Sequence, residues 1–208
     1  MRFFDPDNEL FRGLSKFTDL LVLSVLWTVC SIPVFTAGPA TAALYHAVNK
    51  SFRENSRFGW SEFFRSFKMN FKVGAPASLI TAAVLFVLVM LGDLLGVYAE
   101  AVEGGMVLYA AYCVLMLFPL GMVCYLFPAL SRFEMGVGML FTNCFKLALA
   151  HLPSTVAMAL LLVAAVYVCT WLWIPVLLVP GLLALAHSLF LERIFRPYMS
   201  GSSPEEDE

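Results

Sequence analysis

Charge is what this chain has least of. Of its 208 residues 13% are charged, against about 25% in an ordinary globular domain, and 61% are hydrophobic. That shortage excludes a water-surrounded domain, because one core could not bury so much apolar surface, and lipid must be part of the solvent. It equally excludes a disordered chain. A net charge of -2 provides no field for nucleic acid. The five cysteines, Cys30, Cys113, Cys124, Cys144 and Cys169, form no C-x-x-C pair and read as small buried hydrophobes rather than metal or redox groups.

Catalytic signatures are missing as well. The chain has no G-x-x-x-x-G-K-[ST] and no dinucleotide fingerprint, so nothing suggests that it hydrolyses ATP. H-E-x-x-H and G-x-S-x-G are also absent, and His46, His151 and His187 sit in separate segments without acidic neighbours in helical register. The expectation is a protein that is not an enzyme and needs no cofactor or metal.

What is present is a series of apolar runs. A crossing takes about 20 residues, and runs near 18–35, 75–98 and 106–128 qualify, followed by an apolar block from Pro153 to Leu191. As one straight helix that block would be about 58 Å long, so it reads as a hairpin, 153–171 and 174–191. Five crossings, however, would put the three basic residues of the first cluster, Arg2, Arg12 and Lys16, on the opposite side from the other ten Lys and Arg. A short sixth crossing over 38–52 removes the conflict. Its Gly38 and Pro39 would form the turn and open the helix, and all basic residues would then be cytoplasmic. The expected fold is an all-α polytopic membrane helix bundle of about six crossings with both termini cytoplasmic. Residues 1–197 form the membrane domain and 198–208 a disordered acidic tail. The first 17 residues, mixed in charge, do not read as a cleavable signal. At about 22 Å the 38–52 helix is short of a hydrocarbon core, so its hairpin either turns within the lipid or is shielded by neighbours.

Between crossings lie amphipathic stretches. Trp60, Phe63, Phe64, Phe67 and Phe71 fall at helical spacing, with Arg65, Lys68 and Lys72 around them, which predicts an interfacial helix on the anionic inner leaflet. A second such stretch spans Val137 to Ala148. Few polar groups interrupt the crossings. Asp19 reads as a surface partner of Lys16, and Thr41, Tyr45, His46 and Asn49 of the short crossing make a candidate polar path beside the Gly38–Pro39 turn.

The run Phe3-Phe4-Asp5 to Phe11-Arg12-Gly13, then Ser31-Ile32-Pro33-Val34, then Thr36-Ala37-Gly38-Pro39-Ala40-Thr41-Ala42-Ala43-Leu44-Tyr45, resembles the YesL family of small bacterial membrane proteins, as does Phe63-Phe64-Arg65-Ser66-Phe67-Lys68. The resemblance covers about the first 75 residues. It implies a multi-span protein of the bacterial inner membrane, encoded beside ABC importers and enzymes of carbohydrate uptake, and it brings no catalytic residues. On that footing the expected role is an accessory or regulatory component of carbohydrate uptake, with the bilayer and ABC-importer subunits as partners. A small stand-alone transporter or channel is the alternative.

Overall fold

The structure is a computed structural model, and it describes residues 9–53, 59–171 and 178–199. The described residues form seven α-helices with no strand: α1 (Glu9–Cys30), α2 (Ala37–Arg53), α3 (Gly59–Ala101), α4 (Gly105–Arg132), α5 (Val137–Ala150), α6 (Leu152–Trp171) and α7 (Val179–Met199). A short 3₁₀ turn, Val34–Thr36, joins α1 to α2. Helices α3, α4 and α6 are long and apolar enough to cross a bilayer. The protein is an all-α integral membrane protein. The second half of the expected hairpin, 174–191, begins outside the described residues and continues as α7, and the acidic tail lies outside them beyond Met199.

The interfacial helix expected over 60–72 is not a separate element. It is the start of α3, whose 43 residues run without a break through Pro76. Proline removes one backbone hydrogen bond from a helix interior. Packing offsets the loss, since Gly74, Ala77 and Ser78 are all buried around Pro76. By contrast Pro153 lies in the first turn of α6, where its missing N–H costs nothing. The second amphipathic stretch is α5, which buries Leu140, Cys144 and Ala148.

Helix α2 is the hub. Its residues Ala40, Ala42, Ala43, Ala47 and Val48 are fully buried, because small side chains let α1, α3, α4 and α7 all approach it. Ala40, Ala43 and Ala47 leave room for Phe63 of α3, which packs with Leu20 and Leu23 of α1 in one apolar cluster. A second cluster joins α4, α5, α6 and α7 around Tyr125, Leu140, Met158 and Phe195. Gly121 seals it: a Cβ there would stand 2.6 Å from the Thr155 carbonyl oxygen, so α4 and α6 meet at backbone distance.

The run of α2 along α3 corrects the expected picture of a crossing over 38–52. The Gly38 N–H donates to Ser78 Oγ at 2.5 Å, while Lys50 at the other end meets Glu62 at 2.8 Å. Helix α2 therefore lies antiparallel beside residues 62–78 of α3, the part that carries Arg65, Lys68 and Lys72. Residues 79–101 continue about 35 Å further and pack on α4, with Gly92 against Tyr112 and Gly96 against Tyr109.

Candidate functional site

Two carboxylates, each gripped by a pair of α2 side chains, organise the basic end of the bundle. Tyr45 and Asn49 are one helical turn apart and so share a face. Tyr45 O–H donates to Glu192 Oε1 of α7 at 3.2 Å, and Asn49 Nδ2 donates to the same oxygen at 2.5 Å. Arg132, at the end of α4, adds an ion pair to that oxygen through Nη2. Three helices thus converge on Glu192. His46 and Lys50, again one turn apart, face the other way. Lys50 Nζ lies 2.8 Å from Glu62 Oε1 and His46 Nε2 lies 3.7 Å from Glu62 Oε2. The Lys50 hydrogen bond, with Arg65 and His46 adding charge, holds the Glu62 carboxyl below the usual carboxylate range against the opposing effect of burial.

Between these two anchors lies a polar cavity of about 400 Å³, lined by His46, Lys50, Glu62, Arg65, Asn70 and Arg132 among others. Both signs of charge border it, and the Arg132 Nε is buried without a partner among the described residues. Nearby, Asp19 of α1 accepts from Ser51 Oγ at 3.2 Å, while the Lys16 ammonium sits over the Phe52 ring, 5.7 Å from its centre. Asp19 thus ties α1 to α2 across the helix pair.

The polar path expected from Gly38 to Asn49 is divided among different neighbours. Gly38 and Pro39 form a close crossing with α3: a Cβ on Gly38 would stand 2.3 Å from Ser78 Oγ, and one on Gly74 2.9 Å from Pro39 Cγ. Thr41 Oγ1 accepts from Trp27 Nε1 at 3.0 Å and donates to the Ala37 carbonyl at 2.7 Å. Tyr45 and Asn49 turn to Glu192, and His46 turns to Glu62. Sequence reasoning missed Glu192, Glu62 and Arg132 as partners of α2. Their one available signal was that each is a lone charge at the edge of an apolar run.

The expected aromatic stripe is also divided. Phe63 is fully buried, whereas Trp60 is 55% and Phe64 48% exposed. Phe67 stacks on Phe63 with ring centres 6.3 Å apart. Arg65, Lys68 and Lys72 are exposed. Trp60, Phe64, Lys68 and Lys72 follow one another at four-residue steps, so a mixed aromatic and basic row faces outward from α3. Among the described residues no three His, Cys, Asp or Glu side chains converge on a point that could hold a metal. The arrangement therefore offers charge recognition and helix anchoring rather than a nucleophile and a base.

Comparison with curated proteins and with solved structures returns no match. Residues 20–90, which hold the α1–α2 hairpin and the exposed row of α3, are similar to a family described as a protein of unknown function, DUF624, a match that is consistent with the YesL resemblance and assigns no activity.

Proposed function

We propose that this protein is an accessory or regulatory component of carbohydrate uptake in the bacterial inner membrane, with its basic end in the cytoplasm and ABC-importer subunits as partners. The observation that carries the reading is the outward row Trp60, Phe64, Lys68 and Lys72 on the first four turns of α3. Exposed aromatic and basic side chains at helical spacing suit an anionic leaflet and the polar surface of a partner beside it. The importer as partner comes from the YesL resemblance. Orientation follows from the positive-inside rule, since every basic cluster gathers at one end while Glu100 and Glu103 mark the other.

The test is purification in mild detergent with a tag on the acidic tail. Importer permease subunits are expected in the eluate, and in a variant with Trp60→Ala, Phe64→Ala and Lys68→Glu they are expected to be lost. Repeated recovery of the protein alone overturns the reading. The alternative, a stand-alone transporter, is less favoured because the polar residues of α2 are spent on separate helix contacts. Solute flux through purified protein in liposomes would favour it.

A further inference from the structure

A second cavity, of about 460 Å³, lies between α1, α2, α4, α6 and α7, with Trp27, Tyr45, Phe127, Val166 and His187 among its walls. Its lining is almost wholly apolar, and its polar groups are largely engaged. Thr41 is bonded to Trp27 and Ala37, Tyr45 to Glu192, and Thr170 to the Tyr167 carbonyl. His187 is different. It is 7% exposed and hydrogen-bonded to the Met158 backbone, yet its Nε2 is buried with no partner among the described residues. With Nδ1–H serving the Met158 bond, Nε2 carries a lone pair and can only accept.

A cavity of this size, apolar apart from one aimed polar atom, has the form of a small-molecule site in which apolar walls supply contact and the polar atom sets orientation. We propose that it holds the hydrocarbon chain of a single-chain amphiphile whose hydroxyl donates to His187 Nε2. A cationic head is excluded by its desolvation, since the nearest carboxylate, Glu192, already accepts from Tyr45, Asn49 and Arg132. The donor must be neutral, and a hydroxyl is the common neutral donor at the end of an acyl-type chain.

The test uses the full-length protein in nanodiscs with a photoreactive dodecanol and its dodecane counterpart. Dodecanol is expected to label α6 and α7 peptides around the cavity. His187→Phe, which removes the acceptor, should cut that labelling about tenfold, and His187→Gln, which keeps a carbonyl acceptor, should retain most of it. Ala184→Trp, which fills the cavity, should abolish it, and thermal unfolding of each variant establishes that it is folded. Equal labelling by dodecane, equal labelling of the lipid-facing half of α3, or an unchanged yield in folded His187→Phe each overturns the proposal.

A different set of observations concerns the α1–α2 hairpin. Its turn is exposed and apolar: Ile32 is 77%, Val34 58% and Phe35 44% exposed. Its backbone is satisfied from within. Thr36 Oγ1 bonds the Cys30 and Pro33 carbonyls at 2.6 and 2.7 Å, and the Ser31 N–H reaches the Trp27 carbonyl at 2.9 Å. Such a turn suits hydrocarbon rather than water. It is held at the level of Ser78, far short of Ala101.

We infer that α1 and α2 form a re-entrant hairpin that enters and leaves on the basic side, so that only α3, α4, α6 and α7 cross. The charge rule is met as well as with six crossings, because removing the first crossing restores parity just as adding one does. In a cysteine-free background, Val34→Cys is expected to resist an impermeant maleimide applied from outside whole cells, while Gly104→Cys reacts. Reaction of Val34→Cys at a rate like that of Gly104→Cys overturns the inference.

Discussion

Tyr45 of α2 and Glu192 of α7, 147 positions apart in the chain, meet in a hydrogen bond of 3.2 Å. The contact closes the apolar cavity at its basic end and begins the polar cluster beyond it. One side chain thus borders both environments, with its ring against the cavity and its hydroxyl on the carboxylate.

Glu192→Ala is expected to destabilise the protein strongly. The Glu192 side chain is 16% and that of Arg132 25% exposed, so the pair is largely but not wholly removed from water. Deleting the carboxylate leaves Arg132 and Asn49 without their acceptor. Breaking a fully buried pair costs about 3–5 kcal/mol, and residual exposure lowers the expected loss to about 2–3 kcal/mol. Arg132→Ala together with Glu192→Ala should cost less than the two single changes summed. Thermal or denaturant unfolding in detergent of the four proteins measures this.

The Glu62 pair should behave as a surface interaction. Lys50→Met is expected to cost about 0.5–1 kcal/mol, as partly exposed pairs do. Because the folded carboxyl is held below the usual carboxylate range by Lys50, its contribution is full above that range and is lost as pH falls through its depressed folded value. Glu62→Gln should remove that acidic loss without altering stability near neutral pH by more than the pair is worth. Unfolding midpoints between pH 3 and 7 check both.

Gly38→Ala is expected to disrupt the hairpin. The new Cβ would stand 2.8 Å from the Gly74 carbonyl oxygen as well as 2.5 Å from Phe127 Cε1, and backbone cannot swing aside. Overpacking of this kind costs about 1–3 kcal/mol. Gly138→Ala in α5, where a Cβ meets nothing within 4 Å, should instead stabilise by up to about 1 kcal/mol through helix propensity. The two substitutions, compared by melting in one detergent, separate close approach from propensity.

The helical class was legible in the sequence because apolar run length is a one-dimensional property, and so were the segments that became α4, α5 and α6. Scarce charge was also informative, but only about parity: thirteen basic residues on one side demand an even number of crossings and do not distinguish four from six. What ran against expectation depended on pairing. Pro76 looked like a helix start until packing against α2 carried α3 through it. Likewise Tyr45, His46 and Asn49 look alike as polar interruptions of one run. Only the placement of Glu62 and Glu192 beside α2 shows that they serve two different carboxylates.

Phe63 and Phe64 are adjacent in sequence and should respond to truncation in opposite ways. Phe63 is fully buried among Leu20, Leu23 and the alanines of α2, so Phe63→Ala removes its contacts and leaves a cavity, at an expected cost of about 3–5 kcal/mol. Phe64 is 48% exposed and lies in the outward row with Trp60 and Lys68. Phe64→Ala should change unfolding stability by no more than about 0.5 kcal/mol, yet weaken recovery of bound partners if that row is the contact face. Measured on the same preparations, a stability loss in Phe64→Ala equal to that of Phe63→Ala would place Phe64 in the core instead. Intact stability with undiminished partner recovery would remove Phe64 from the contact face.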